Sequence, residues 1–403
     1  MPETATEPRT FVDEPLVSYS FPQRMNILLA PDKFRGSLTA TEACQAMTEG
    51  IREAYPEAHI VALPLSDGGE GFLETLVEAT QGTYQEVSCH DPLMRPITAR
   101  WGKSGDGTTA FIEMATASGL ALLEPEEYQA SQTTTYGTGE LMRAAMASGI
   151  KKLVLGIGGS ATTDGGIGMA QALGWNFCGS DGQALPPVGA SLSGIHSIHP
   201  PEQPVYAGVE IVVASDVTAP LFGPEGAAFV YSPQKGAGTQ EVENLDTGLR
   251  QLAGVVSRTS VGISSLENKP GAGAAGGLGF GLMTFCGAHL QPGAELVMEL
   301  VGLDLLLQKA ELILTGEGKL DTQSLQGKLI GRLCEKAKPR KIPVFALCGT
   351  LAAPPTELRK LGLSYATSIL TGPVDLPTAL RTAYERLREA SFWAIHWYVT
   401  QKK

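Results

Sequence analysis

One unit recurs along the chain and constrains its fold: a short apolar run, then a polar loop containing glycine, then a helical pattern. Residues 25–32 (MNILLAPD) form such a run, and Thr39 with Glu42 has the spacing of a capping box that begins the next helix. Residues 59–71 (HIVALPLSDGGEG) repeat the unit ahead of the helical pattern FLETLVEAT. Two strands joined by a helix predict parallel pairing with a crossover, which begins a doubly wound α/β sheet.

The pattern changes near residue 83 and again near residue 291, which indicates two domains. Between these points the chain is richer in Gly and Pro, and residues 83–102 predict extended strands with no helix between them. After residue 291, strands and helices alternate regularly again. A chain of 403 residues is too long for one compact core. We therefore predict an α/β domain built from residues 25–85 and 292–403, a second α/β domain, 86–291, inserted into it, and a flexible tail, 1–24.

Charge and cysteine usage exclude several classes of protein. The net charge of −12 offers no basic surface for nucleic acid. The six cysteines are scattered without a C-x-x-C pair, which is typical of reduced thiols and not of a disulfide framework or a zinc site. The first 24 residues contain no apolar stretch typical of a secretion signal, and charges interrupt the apolar segments elsewhere. We predict a cytoplasmic protein with no membrane or nucleic-acid partner, and a homo-oligomer is left open.

Polar loops that follow predicted strands are the candidates for binding a ligand. Ligands of open α/β sheets bind at the carboxyl ends of the strands, so we expect these loops to line one cleft. Each loop also has a structural interpretation, because aspartates commonly cap helices and exposed lysines and arginines are commonly solvated. The five loops are PDKFRGS (31–37), SDGGEG (66–71), GIGGSATTDGG (156–166), ASDVTAPLFG (214–223) and TGEGKLDTQS (315–324).

The sequence of the third loop, residues 156–166, indicates a phosphate ligand. A glycine-rich loop before a helix binds phosphate through backbone N–H groups. Its match to the dinucleotide template at Gly156, Gly158 and Ala161 is weak, and no P-loop pattern occurs in the chain. Phosphoryl transfer needs backbone donors, cations, a carboxylate for Mg²⁺ and a proton acceptor, and the loops supply all four. A kinase is favoured over two alternatives, a nicotinamide-dependent oxidoreductase of small hydroxy acids and a non-catalytic ligand-binding protein.

The order of the motifs adds a resemblance to a known family. APDKFRGSLTA, PLSDGGEG, TTTYGTGEL, GIGGSATTDGG, SDVTAPLFG and TGEGKLDTQS together resemble the bacterial glycerate kinase family, the type that produces 2-phosphoglycerate. The similarity extends from about Met25 to about Ala390. It implies ATP-dependent phosphorylation of D-glycerate and two α/β domains, one flavodoxin-like and the other inserted into it.

The resemblance and the physics of phosphoryl transfer together give a hypothesis for the site. Lys33 or Arg35 would hold the glycerate carboxylate; of Asp164 and Asp216, one would hold Mg²⁺, and the other, or Asp67, would accept the hydroxyl proton. The predicted catalytic residues are Lys33, Asp67, Asp164 and Asp216, with Asp164 and Asp216 as metal ligands. The predicted glycerate-binding residues are Lys33, Arg35, Ser37, Ser66 and Asp67. The predicted ATP phosphate-binding residues are Gly158, Gly159, Ser160, Thr162, Glu317 and Asp321. The choice between the 2- and the 3-hydroxyl does not follow from physical chemistry alone.

Overall fold

The computed structural model describes residues 24–259, 266–321 and 329–401. The predicted tail lies outside the described residues except for Arg24, as do residues 322–324 of the fifth loop. Among the described residues, no helix combines the length and the apolar character needed to cross a membrane.

The described chain alternates between strands and helices, as the sequence predicts. The strands are β1 Asn26–Leu29, β2 His59–Ala62, β3 Thr83–His90, β4 Pro96–Lys103, β5 Thr109–Glu113, β6 Lys152–Gly156, β7 Asn176–Cys178, β8 Ser197–His199, β9 Glu210–Ala214, β10 His289–Gln291, β11 Leu312–Thr315, β12 Lys319–Leu320, β13 Val344–Cys348, β14 Thr350–Leu351 and β15 Tyr365–Ser368. The α-helices are α1 Ala40–Ala54, α2 Phe72–Ala79, α3 Ala115–Ser118, α4 Tyr136–Ala147, α5 Ile167–Ala172, α6 Ala227–Tyr231, α7 Thr239–Arg258, α8 Ala274–Cys286, α9 Gly293–Leu300, α10 Leu303–Leu306, α11 Leu329–Ala337, α12 Pro355–Leu361, α13 Leu376–Arg381 and α14 Ala383–Gln401. Short 3₁₀ helices cover Leu120–Leu122, Pro125–Glu127, Gly189–Gly194, Pro233–Lys235 and Lys338–Arg340.

The first sheet contains five parallel strands in the order β15-β13-β11-β1-β2. Both of its faces are covered, because successive side chains of a strand point to opposite faces. Ile27 and Leu29 pack against α1 and α14, whereas Leu28 packs into the apolar cluster on the other face. The chain leaves β1 for β2 on one side and returns to β11 on the other. The crevice between β1 and β11 is therefore the topological switch point of the sheet.

The second sheet is mixed, in the order β10-β9-β6-β5-β4-β3. Strands β5, β6, β9 and β10 are parallel, and β3 and β4 form an antiparallel hairpin at one edge. Strand β3 pairs with β4 along its whole length, so the second sheet begins at Thr83. The twenty-residue helix α7 lies in the part of the chain that is rich in Gly and Pro.

Helices α2 and α9 lie between the two sheets and join them. Phe72 and Leu76 of α2 are completely buried in a cluster that also contains Leu28 of the first sheet and Phe111 of the second. Burying such a side chain stabilises the fold by about 2 kcal/mol. Helices α4, α5 and α8 cover the far face of the second sheet. Because α2 is fixed on both sides, the loop 66–71 at its amino end is held between the two sheets.

The capping box predicted at the start of α1 is present. The Glu42 backbone N–H donates to Thr39 Oγ1 at 3.1 Å, and the Thr39 backbone N–H donates to the Glu42 carboxylate at 2.8 Å. Such a cap stabilises a helix by about 1 kcal/mol, and here it fixes the point at which loop 31–37 ends.

Candidate active site

Four of the five predicted loops meet around one cavity of about 420 Å³, which we call the central cavity. Each loop follows a strand of one of the two sheets, so both sheets contribute to its wall. These four loops therefore lie together at the carboxyl ends of their strands, where open α/β sheets bind ligands. The central cavity is lined by Lys33, Arg35, Asp67, Gly68, Gly69, Glu70, Ile157, Gly158, Gly159, Ala214, Ser215, Asp216, Val217, Ala274 and Ala275.

The fifth loop lines a second cavity of about 450 Å³, which we call the flanking cavity. Glu317 and Asp321 lie in its wall, and the Asp321 carboxylate is 3.0 Å from Lys319 Nζ. Lys33, Arg35 and Asp67 line both cavities. The two spaces therefore share the predicted cations, and Glu317 and Asp321 line the flanking cavity but not the central cavity.

Lys33 joins the first two loops. Its ammonium group donates to the backbone oxygen of Glu70 at 2.5 Å and lies 3.8 Å from the Glu70 carboxylate. The Lys33 side chain is mostly buried, whereas Arg35 is exposed at the cavity wall. One cation is thus fixed and the other can move towards an anionic ligand.

Two neighbouring carboxyl groups, those of Asp32 and Asp67, lie beside these cations. Asp32 is buried and accepts a hydrogen bond from the Lys33 backbone N–H at 2.7 Å. Burial, followed by the negative charge of Asp67, raises the pKa of Asp32 to about 7. A carboxyl group that titrates near neutral pH in a cleft is a candidate for acid–base chemistry. The sequence placed Asp32 in a motif but gave it no role.

Close backbone contact fixes the carboxylates of the central cavity. Asp67 Oδ1 accepts from the Gly69 backbone N–H at 3.2 Å, and Asp216 Oδ1 accepts from the Gly293 backbone N–H at 2.9 Å. A Cβ atom at Gly158 would lie 2.8 Å from the Cα atom of Gly69, so loops 66–71 and 156–166 touch backbone to backbone. The absence of a side chain at Gly158 is therefore required by the protein itself.

A buried lysine, Lys235, which the sequence analysis did not identify, donates hydrogen bonds to the third loop. Lys235 is buried, and its ammonium group donates to Ser160 Oγ at 2.7 Å and to the Thr162 backbone oxygen at 2.6 Å. Burial lowers the pKa of Lys235 to about 7, while the nearby Asp164 acts in the opposite direction. Ser160 is half-buried above this lysine. Thr162 is fully buried, and its Oγ1 has no hydrogen-bond partner in the described part of the chain.

Asp164 lies away from both cavities. It is fully buried, and its carboxylate accepts from the Thr135 backbone and hydroxyl at 2.8 and 2.7 Å and from the backbones of Gly166 and Gly168 at 3.0 and 3.3 Å. These donors join the amino ends of α4 and α5. These contacts are those of a helix-capping carboxylate, the structural interpretation of Asp164, and its role as metal ligand or base stays a prediction.

The two predicted serines differ in position. Ser66 is buried and accepts from the Gly68 backbone N–H at 3.3 Å, so it shapes the turn and does not line either cavity. Ser37 lines the flanking cavity, where its hydroxyl donates to the Phe34 backbone oxygen at 2.9 Å. Neither hydroxyl reaches the central cavity in this structure.

Cations, carboxylates and exposed glycine backbone at the ends of parallel strands define a class of protein, the α/β enzymes that bind anionic, phosphate-bearing substrates. The chain belongs to the glycerate kinase family, whose sequence model matches residues 27–398. The resemblance seen in the motifs is thereby confirmed.

Individual relatives match nearly the whole chain. It is 41% identical over 368 residues to a glycerate 2-kinase of Escherichia coli (strain K12), covering 91% of this chain and 96% of that protein. It is 40% identical over 368 residues, with the same coverage, to a glycerate kinase of Bacillus subtilis (strain 168). A crystal structure of a Salmonella typhimurium LT2 protein assigned as glycerate kinase 2 matches with a TM-score of 0.85 and 38% identity, over 94% of this chain and all of that one. These matches confirm the α/β fold class and an enzyme of the kinase type.

Sequence reasoning missed Lys235 because the segment SPQKGAG contains nothing that distinguishes a buried lysine from a solvated one. Its burial depends on the turn Pro233–Lys235 packing beneath loop 156–166, which is a tertiary contact. Asp32 carried a weak signal, since it is the last residue of the apolar run 25–32 and precedes two cations.

Proposed function

We propose that this protein transfers the γ-phosphate of ATP to the 2-hydroxyl group of D-glycerate in the central cavity. One observation carries the proposal: Lys33, Arg35, Asp67, Asp216 and the Gly158–Gly159 backbone line a single space. Phosphoryl transfer depends on positioning and on neutralising charge, and these groups supply cations, carboxylates and backbone donors. The names of the relatives, glycerate kinase and glycerate 2-kinase, support the same substrate and the same hydroxyl group.

Lys33 and Arg35 would each bind a different anionic group of the substrates. Lys33 is held against Glu70 and offers a fixed charge next to the glycine backbone, which suits the transferring phosphate. Arg35 is exposed and has the planar guanidinium that binds a carboxylate through two hydrogen bonds, which suits glycerate. Ser160, polarised by the ammonium group of Lys235, supports the phosphate-binding backbone from the side.

The residues of the central cavity can hold Mg²⁺ if phosphate oxygens of the substrate supply some of the ligands. The described residues contain no group of three or more His, Cys, Asp or Glu side chains able to hold a metal ion. Kinase sites commonly hold Mg²⁺ with one or two carboxylates together with phosphate oxygens and waters. Asp216, at the wall of the central cavity, is the carboxylate we assign to it, and Asp164 is not. When bound, the ion would neutralise charge on the phosphates.

Asp67 is the base in this proposal. Its carboxylate lines the central cavity and is oriented by the Gly69 backbone N–H. It accepts the proton of the glycerate hydroxyl as that oxygen bonds to the γ-phosphorus and the bond from the γ-phosphorus to the bridging oxygen breaks, which releases ADP. Asp32, whose pKa is raised to about 7, lies beside it and retains a proton below that pH, which limits the negative charge near the substrate.

We further propose that the two sheets are the cores of two domains that close on the substrates. The inserted domain would run from Thr83, where the second sheet begins, to about residue 291, where β10 ends. Closure would narrow the central cavity around the phosphate and exclude water, which prevents hydrolysis of ATP.

The test is a reaction followed by ³¹P NMR with purified protein, ATP, Mg²⁺ and D-glycerate. We expect ATP to be consumed only when glycerate and Mg²⁺ are both present, with 2-phosphoglycerate as the product. Equal ATP loss without glycerate, or 3-phosphoglycerate as the product, would contradict the proposal. Reduction of NAD in the presence of glycerate would favour the oxidoreductase alternative.

A further inference from the structure

The flanking cavity has an apolar wall that the proposed chemistry does not use. Leu376 and Leu380 of α13 line it together with Ile369 and Leu370, which follow strand β15. Leu376 is 69% exposed, so it offers apolar surface beside the cavity that no other part of the described chain covers. The same cavity is also lined by the carboxylate residues Glu317 and Asp321.

The flanking cavity lies where an open α/β sheet binds its ligand. The loops after β1 and β11 border it, and the crevice between these two strands is the switch point of the first sheet. Its volume of about 450 Å³ lies within the range of small-molecule sites, roughly 300–1,000 Å³. The cavity therefore has the place and the size of a ligand site in its own right.

A ligand that suits the flanking cavity has an apolar end and an anionic end. Lys33 and Arg35 line the flanking cavity and the central cavity alike, so a molecule in the first can extend anionic groups past these cations into the second. A flat, largely apolar ring suits the aliphatic wall, whereas carboxylates repel phosphate and accept hydrogen bonds from sugar hydroxyls. A nucleoside triphosphate has these parts in this order.

We propose that the flanking cavity binds the nucleoside of ATP, with the purine ring against Leu376, Leu380 and Ile369 and the ribose hydroxyls on Glu317 or Asp321. This inference depends on the proposed function, because it takes ATP as the phosphate donor. It replaces the phosphate-binding role that the sequence predicts for Glu317 and Asp321. The triphosphate then leads past Lys33 and Arg35 to Gly158 and Gly159.

The test compares two ligands on three variants by isothermal titration calorimetry. ATP and inorganic tripolyphosphate share the anionic part, and only ATP has the nucleoside. Leu376→Gln and Leu380→Gln place an amide in the apolar wall. Val374→Gln is the matched control, because Val374 is an exposed aliphatic residue of the same segment that does not line the flanking cavity.

We expect Leu376→Gln and Leu380→Gln each to weaken ATP binding about tenfold, which corresponds to about 1.4 kcal/mol, while tripolyphosphate binds as in the unmodified protein. Val374→Gln should leave both ligands unchanged. An unchanged ATP affinity in both cavity variants would overturn the nucleoside site while the kinase reaction stands. Equal affinity of the unmodified protein for ATP and tripolyphosphate would overturn it too. If the unmodified protein does not turn over ATP with glycerate, the proposed function fails first.

Discussion

Single buried residues within and next to the third loop affect how rigidly the proposed phosphate site is held. Asp164 and Lys235 are both buried there, and neither lines the central cavity. Burying an isolated charge is costly, so each must be compensated by hydrogen bonds. Asp164 accepts four of them, from Thr135 just before α4 and from Gly166 and Gly168 at the start of α5, whereas Lys235 donates two to loop 156–166. Their substitution should therefore have different consequences.

Asp164→Asn is expected to destabilise the fold more than it impairs the reaction. The amide nitrogen cannot accept hydrogen bonds, so buried N–H donors of Thr135, Gly166 or Gly168 lose their partner, at a cost of about 2 kcal/mol. We predict a melting temperature lowered by several degrees and less than a tenfold loss of kcat/KM in the folded protein. A loss of about a hundredfold or more at an unchanged melting temperature would instead identify Asp164 as a metal ligand or base.

Lys235→Met is expected to act on ATP binding and on its pH dependence. Below a pH of about 7 the ammonium group is charged and polarises Ser160; as the pH rises through this value the charge is lost in the free enzyme. We predict that the KM for ATP of the unmodified protein increases between pH 6 and 8.5. In Lys235→Met, the KM should be about tenfold higher at pH 6 and should vary less with pH. The same pH dependence in both proteins would show that another group is responsible.

Asp32→Asn is expected to stabilise the protein above neutral pH. The unfolded chain releases this proton near pH 3.8, whereas burial keeps it on the folded chain until about pH 7. Over this interval the folded state binds more protons, so the Asp32 carboxyl lowers stability as the pH rises. We predict a gain on the order of 2 kcal/mol for Asp32→Asn at pH 8 and almost none at pH 4, measured by urea unfolding. Equal gains at both values would contradict the raised pKa.

At the scale of loops and helices, contact between glycine backbones determines the geometry of the site. Gly158→Ala would place a Cβ atom 2.8 Å from the Cα atom of Gly69 and separate loops 66–71 and 156–166. We predict a loss of kcat/KM of at least tenfold with little change in melting temperature, because loop 156–166 is a connecting element at a strand end. Gly238→Ala is the control, since no atom lies within 4 Å of its added Cβ. Similar activities of the two variants would mean that this contact does not matter.

Elements and loops were predictable to different extents. Strands such as β1 and β11 have apolar side chains on both faces, so a doubly wound α/β sheet follows from the sequence, and its strand ends bring the loops together. The role of Asp164 did not follow, because a capping aspartate and a metal-binding aspartate look alike in a glycine-rich loop. The position of the glycine-rich start of α8 did not follow from the sequence either. It packs so closely against the third loop that a Cβ atom at Gly276 would lie 2.0 Å from the Thr162 backbone oxygen. Such contacts depend on the tertiary structure.

In the whole molecule, the proposed phosphoryl transfer needs residues of both sheets to contact the same phosphate. The first sheet supplies the cations and Asp67, and the second supplies the glycine backbone and Asp216. Neither set alone contains all the parts that phosphoryl transfer needs. The position of the two sheets relative to each other is therefore part of the catalytic geometry.

A crystal structure with D-glycerate and a non-hydrolysable ATP analogue tests this claim most directly. We expect the terminal phosphate within hydrogen-bonding distance of the Gly158 or Gly159 backbone N–H and of Lys33. We also expect the glycerate carboxylate on Arg35 and the 2-hydroxyl group beside Asp67. A terminal phosphate bound outside the central cavity, or glycerate bound away from Arg35 and Asp67, would contradict it.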